Sequence, residues 1–290
     1  MDMLNFINFF LLPGIVQGSI YALGAIGITL VFAIMRYGHF AHGDLATFGA
    51  FMALFFTTAF GLSPYAALPF AIVTAGILAV GIDWLFYAHL RALPKIITTI
   101  ASFGVALMLR SFVQVVWGVN STSYTRGITR PENWFGIRVK SHEIMTLTVA
   151  IVLVVALHLF LTRNKWGKAM RAMSDNPSLA LLSGVDNGKV IALTWIIAGG
   201  LCAASGFFLG LNTELKSLMG WNILLPTFAG AILGGVGRIE GAIVGGLIVG
   251  IAEELSVLVI PSEYKVMSAF AILLLVLLVR PTGIFHGKVL

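Results

Sequence analysis

The sequence predicts an all-α, polytopic transmembrane bundle of eight or nine spans, with room for a broken or half-helix. Three observations carry this. Only 30 of 290 residues are charged, 18 basic and 12 acidic, about 10% where a soluble domain carries roughly 25%. Apolar residues make up 59% and the mean hydropathy is +0.98, more apolar surface than one core of this length hides. The charges also collect in short islands between uncharged runs long enough to cross a bilayer, which takes about 20 helical residues.

The elements follow in order. Residues 3–35 carry no charge and supply a first span over 9–35, which ends at the island Arg36 to His39. The next uncharged run, 45–82, is too long for one helix, and Gly61, Ser63 and Pro64 break it into spans at 45–60 and 65–88. After the turn Arg91 to Lys95 comes a fourth span, 96–118, with Arg110 inside it. The polar stretch Asn120 to Glu143 has no hydrophobic run. Spans at 144–162 and 190–211 flank the basic stretch Arg163 to Lys189. The last third holds segments at 222–236, 241–259 and 266–279, punctuated by Arg238 to Glu240, Lys265 and Arg280. The segment 222–236 is short enough for a half-helix or re-entrant hairpin, which is why the count stands at eight or nine. The whole chain, 1–290, reads as one transmembrane domain.

Orientation comes from the basic residues. The loops holding Arg36, Arg91/Lys95, Arg163 to Lys189, Arg238 and Arg280/Lys288 carry eleven Lys and Arg against six on the alternate loops. The richer side is expected in the cytoplasm, with the N-terminus outside and the C-terminus inside. No Lys or Arg precedes Arg36, so the first hydrophobic segment lacks a basic n-region and is expected to be retained. The net charge of +6 reflects this topology rather than nucleic acid, since no aromatic-interleaved basic patch exists. With Cys202 as the single cysteine, an intrachain disulfide is excluded.

Glycines recur four apart, as in Gly230/Gly234, Gly237/Gly241 and Gly241/Gly245. Such small-residue faces let helix backbones approach closely in lipid. Three motifs fail on inspection. Gly184 to Val190 is one residue short of a P-loop and puts Val190 where a magnesium-binding Ser or Thr belongs. The glycines of 234–241 lack the G-x-G-x-x-G spacing. His39, His42 and Asp44 stand close together, but no further His or Cys completes a metal shell. No metal, cofactor or catalytic set is expected.

The stretch 163–189 is the most informative. Arg163, Lys165, Lys168 and Arg171 form a basic run, and Ser174-Asp175-Asn176-Pro177 is a strong helix start, with Asp175 or Asn176 as cap and Pro177 at the first helical position. A helix of under two turns follows, with Leu179, Leu181 and Leu182 apolar and Gly184 suited to close it in the left-handed region. Either a partner docks on those leucines or the helix rests on lipid headgroups. At Phe40-Ala41-His42-Gly43-Asp44 a discontinuity beside a passage is expected. Gly43 would free the backbone, and the restarting helix would present its positive end to Asp44 or to a solute carboxylate; the plainer alternative is a loop capped by Asp44.

The motifs together resemble the permease subunits of branched-chain amino acid ABC importers, the LivH type. The resemblance rests on Gly18 to Leu23, Phe40 to Asp44, Gly167 to Ala172 with Ala180 and Gly184, and Leu233 to Gly237 with Gly241-Ala242. It implies a permease of the bacterial cytoplasmic membrane, paired with a second related permease, two ATP-binding subunits and an external substrate-binding protein. It also makes the 175–183 helix, with Arg171, Asp175, Asn176, Leu179, Leu182 and Gly184, the coupling element toward the ATPase. His42, Gly43 and Asp44 become candidates for the translocation path. Gly230, Gly234, Gly237, Gly241 and Gly245 would pack the helices. The implied solutes are branched-chain amino acids, or, by related permeases, urea, short amides or aromatic acids. The rival reading is an ion-coupled secondary transporter using Asp44, Asp83, Arg110, Glu253 and Glu254, although their alternating signs near span ends favour structural pairing.

Overall fold

The computed structural model describes residues 3–124, 131–134, 136–280 and 282–287, with backbone only for Trp134; Lys288, Arg126 and Arg130, counted above for topology, lie outside the described residues. All nine apolar segments are helices. Six are long and apolar enough to cross a membrane: α1 Met3–Met35, α2 His42–Phe60, α3 Pro64–Leu90, α4 Lys95–Trp117, α5 Ser141–Arg163 and, after two short helices, α8 Asn187–Asn212. The two short helices are α6 Lys165–Asp175 and α7 Pro177–Leu182. The set ends with α9 Met219–Gly234, α10 Ile239–Ser256 and α11 Val266–Val279, of which α9 and α11 are shorter apolar helices.

The ends of these helices follow local chemistry. Arg36 leaves α1 in the left-handed region at φ 58°, and Gly61 ends α2 at φ 66°. Ser63 Oγ accepts from Ala66 N at 3.3 Å and Pro64 opens α3, satisfying one orphan amide at a helix start. Asp186 caps α8 by accepting from Lys189 N at 3.1 Å, and this backbone hydrogen bond, with help from the Lys189 ammonium, holds its carboxyl below the usual carboxylate range.

Short π-helical stretches interrupt α1 at Ile7–Leu11 and α3 at Asp83–Tyr87. The polar stretch contains a hairpin, β1 Glu132–Trp134 against β2 Ile137–Val139, with Asn133 opposite Arg138. Asn8 pins it to α1 by donating to Gly136 O at 3.1 Å and accepting from Arg138 N at 2.9 Å. Three-residue strands carry too little alternation for the sequence to announce them.

Packing is layered around α1 and α8. The best span window of α1 is 94% buried and that of α8 78%, against 33% for α4 and 22% for α5, so α4 and α5 sit at the periphery. The glycine seams are real and tighter than four-residue spacing alone requires. A Cβ on Gly234 would lie 1.9 Å from Gly241 O, and one on Gly245 would lie 2.0 Å from Gly230 O. A Cβ on Gly250 would lie 2.2 Å from Gly18 N. Gly237 departs from its expected packing role. It sits in the turn between α9 and α10 at φ 91°, where L side chains are strained.

The described loops gather at two ends. At one end Arg36 donates to Ser174 O at 3.0 Å, and Ile284 and Phe285 amides bond to Leu233 O and Gly234 O. At the other, Asn8 holds the hairpin, Thr122 bridges Leu215, and Lys265 meets Glu254 at 2.5 Å.

Candidate functional site

Two regions collect the residues singled out by the sequence. The first lies where α2 begins. Asp44, wholly buried, is held by Arg110 of α4 through two hydrogen bonds, Nε to Oδ1 and Nη2 to Oδ2, both 2.9 Å. The guanidinium also stacks over the Trp221 ring of α9 at 4.9 Å, so one cation serves a carboxylate and a π face. Phe40 stacks on Phe103 at 4.2 Å and on Phe228 at 5.2 Å between ring centroids, and its amide donates to Ser102 Oγ at 3.0 Å. The wall formed by the turn before α2 with α2, α4 and α9 is therefore aromatic, with its one ion pair mutually neutralised.

Three expectations here are corrected. The break in the chain lies at 36–41, and α2 already runs from His42. Asp44 is not a cap: Ala41 occupies that position without a side-chain bond, and the Asp44 carboxylate is occupied by Arg110. Gly43 is needed for close approach rather than for unusual dihedrals, since a Cβ there would stand 2.3 Å from Gly220 O. Thr47 Oγ1 accepts from Gly220 N at 3.0 Å across the same contact. His42 lies buried, with its ring against Gly27 and its carbonyl accepting from Cys202 Sγ at 2.7 Å. His39 Nε2 is 2.9 Å from Tyr87 Oη and its ring packs against Trp195. The sequence reading named Phe40 only as part of its motif and missed Trp221, Phe103 and Phe228. The signal was present in α9, where Trp221, Leu225 and Phe228 recur three to four apart and remain partly exposed.

Of the remaining charges, Asp83 pairs with Arg91 and Glu254 with Lys265 at 2.5 Å, whereas Glu253, expected to pair with a cation, accepts from the neutral Tyr21 hydroxyl at 2.6 Å.

The second region is α6–α7. Unforeseen, the basic run folds as an amphipathic helix, α6, capped by Asn164. Met170 and Met173 point inward, and Gly167 fits against Phe160 O and Leu161. The residue before a proline is driven out of the helical region, so Asn176 is extended at φ −148°, ψ 101° and separates α6 from α7. Asn176 Oδ1 accepts from Ser178 N and Leu179 N, both 3.1 Å. Asp175 is the last residue of α6, not a cap, because the helix begins one residue further on. Gly184 closes α7 at φ 84°. Ala180 anchors the helix inward, while Leu179, Leu181 and Leu182 are 60, 59 and 84% exposed. Arg171 projects from the exposed side of α6.

A bundle of apolar helices with a buried ion pair and a capped helix offering leucines at one end defines a polytopic membrane protein. Residues 10–277 match the family described as branched-chain amino acid transport system / permease component, and the chain belongs to that family, whose members are membrane components rather than enzymes. It is 33% identical to the high-affinity branched-chain amino acid transport system permease protein LivH of Escherichia coli K12, over 93% of this chain and 92% of that one. It is 30% identical to BraD of Pseudomonas aeruginosa, over 94% of each. Among solved structures, PsaBC from Streptococcus pneumoniae in complex with Fab superposes with a TM-score of 0.53 at 13% identity, covering 96% of this chain and 95% of that one, a likeness of fold.

Proposed function

We propose that this chain is the permease subunit of a binding-protein-dependent ABC importer for branched-chain amino acids. The observation that carries it is the family match across residues 10–277, nearly the whole chain. The permease pairs with a second, related permease, two separate subunits hydrolyse ATP, and an external protein delivers the solute. The basic-residue count supports a cytoplasmic α6–α7 end, an outside N-terminus and a cytoplasmic C-terminus in a multi-pass inner-membrane protein.

In this reading α7 is the coupling element. Asn176 fixes its start, Gly184 its end, and Leu179 and Leu182 form the face that enters a groove on the ATPase; Arg171 and Asp175 belong to the helix that presents it. The wall of Phe40, Phe103, Trp221 and Phe228, held by Asp44 and Arg110 beside His42 and Gly43, lines the solute path. An aromatic surface without a free charge accommodates an aliphatic side chain and gives a zwitterion no ion pair strong enough to arrest it. The test is uptake of labelled L-leucine by the reconstituted importer. ATP-dependent, vanadate-sensitive uptake requiring the added subunits is expected; uptake by this chain alone on an ion gradient overturns the reading.

A further inference from the structure

We propose that the cavity between α1, α5, α6 and the start of α10 is a feedback site for a free aliphatic α-amino acid, the product of transport. The proposal rests on the solute and orientation proposed above. The cavity has a volume of 540 Å³, within the roughly 300–1,000 Å³ typical of small-molecule sites.

Its lining matches the three parts of such a ligand. For the carboxylate, the cavity meets the first turn of α10, where the Ile239 and Glu240 amides precede the first intrahelical bond, Ala242 N to Arg238 O, and no side chain caps them. Arg238 stands at the same place, exposed and without an ion pair among the described residues. Free amides at a helix start beside a guanidinium are a carboxylate cradle. For the ammonium, Glu240 is equally without an ion pair among the described residues. For the aliphatic body, Leu30, Ile34 and Leu161, all under 10% exposed, form the floor.

A separate observation points to a ligand. Thr29 lines the cavity with its hydroxyl wholly buried and without a partner. Thr194 and Thr227 in neighbouring helices satisfy theirs by donating to the carbonyl four residues back. A buried hydroxyl left unpaired is costly; this one lies just behind the accessible wall, and a ligand polar group would pair with it once the Thr29 side chain turns toward the cavity.

The site also has a route to an effect. Its wall includes Arg171, Ser174 and Asp175, the last turns of α6, and the next residue, Asn176, caps α7. A ligand bridging α10 to α6 would fix the element that presents α7, so accumulated product slows its own entry.

The experiment uses the complete importer in proteoliposomes with the α7 end inside, ATP in the lumen with or without L-leucine, and binding protein with labelled L-leucine outside. Equilibrium binding of L-leucine to the purified importer runs in parallel. Lumenal L-leucine is expected to lower the initial rate about fivefold or more, the lower end of ordinary allosteric coupling. Arg238→Ala and Glu240→Gln are expected to retain uptake into an empty lumen and to lose both inhibition and this binding. Normal uptake with no lumenal inhibition and no Arg238-dependent binding overturns the site and leaves the transport reading standing. Failed uptake with Arg238-dependent binding intact overturns the transport reading and keeps the site. Phosphatidylethanolamine retained in the cavity and not displaced by L-leucine assigns it to a lipid headgroup, which also overturns the proposal.

Discussion

Asp44 and Arg110, 66 positions apart, meet through two parallel hydrogen bonds of 2.9 Å, with the carboxylate wholly buried and the arginine side chain 15% exposed. In an apolar bundle, removing one partner strands the other charge, which costs about 3–5 kcal/mol in buried pairs. Arg110→Ala is therefore expected to lower the folded yield and the unfolding temperature of the purified permease. The double variant Asp44→Leu/Arg110→Leu, which leaves no charge behind, is expected to recover most of that stability. A double variant as unstable as the single one would show that the pair contributes more than mutual neutralisation.

The glycine seams discriminate sharply between positions. Gly234→Ala and Gly245→Ala place a methyl within about 2 Å of backbone carbonyls, which no side-chain adjustment relieves, and both are expected to reduce folded protein strongly, with leucine worse still. Gly104→Ala meets nothing within 4 Å and is expected to be neutral or to stabilise by up to about 1 kcal/mol through helix propensity. Yield after detergent extraction and thermal unfolding separate the two groups.

Replacement of the exposed leucines of α7 tests docking. Burying a leucine is worth about 1.5–3 kcal/mol, so Leu179→Asp or Leu182→Asp is expected to weaken ATPase association more than tenfold. Neither side chain packs in the bundle, so permease abundance should hold. Co-purification of the ATPase, normalised to permease, is the measurement, and wild-type recovery in both variants would remove the docking role.

The cap assignment separates two adjacent residues. Asn176→Ala loses a side-chain bond to two amides and is expected to cost about 1 kcal/mol of local helix stability, read as faster amide exchange at Ser178 and Leu179. Asp175→Ala should leave those amides unchanged.

Orientation is open to labelling, because Cys202 is buried and gives little background. Ser183→Cys and Glu263→Cys sit at opposite ends on exposed positions. In intact cells an impermeant thiol reagent is expected to modify the second and spare the first. The reverse pattern would invert the topology.

Much of the fold was legible because lipid imposes a coarse rule on sequence. Each apolar run became a helix within a few residues of its expected bounds, and Gly61, Pro64 and Gly184 ended or began elements as their backbone preferences require. What escaped depends on residues distant in the chain. Gly43 resembled a hinge because its partner, Gly220, is nearly 180 positions away. Asp44 resembled a cap because Arg110 could not be placed opposite it. Helix α6 was hidden because its amphipathic face is short and completed by α5, α8 and α1. The aromatic wall required knowing which faces of α4 and α9 converge.

The seams joining α1, α10 and α9 have a mechanical consequence. Most helix interfaces are lined by side chains that can change rotamer and let two cylinders creep past one another. Where Gly18 meets Gly250 and Gly234 meets Gly241 there are no rotamers to change, only main chain on main chain. These three helices form a welded plate. Any alternation between outward and inward openings would have to hinge outside this plate, which moves as one piece.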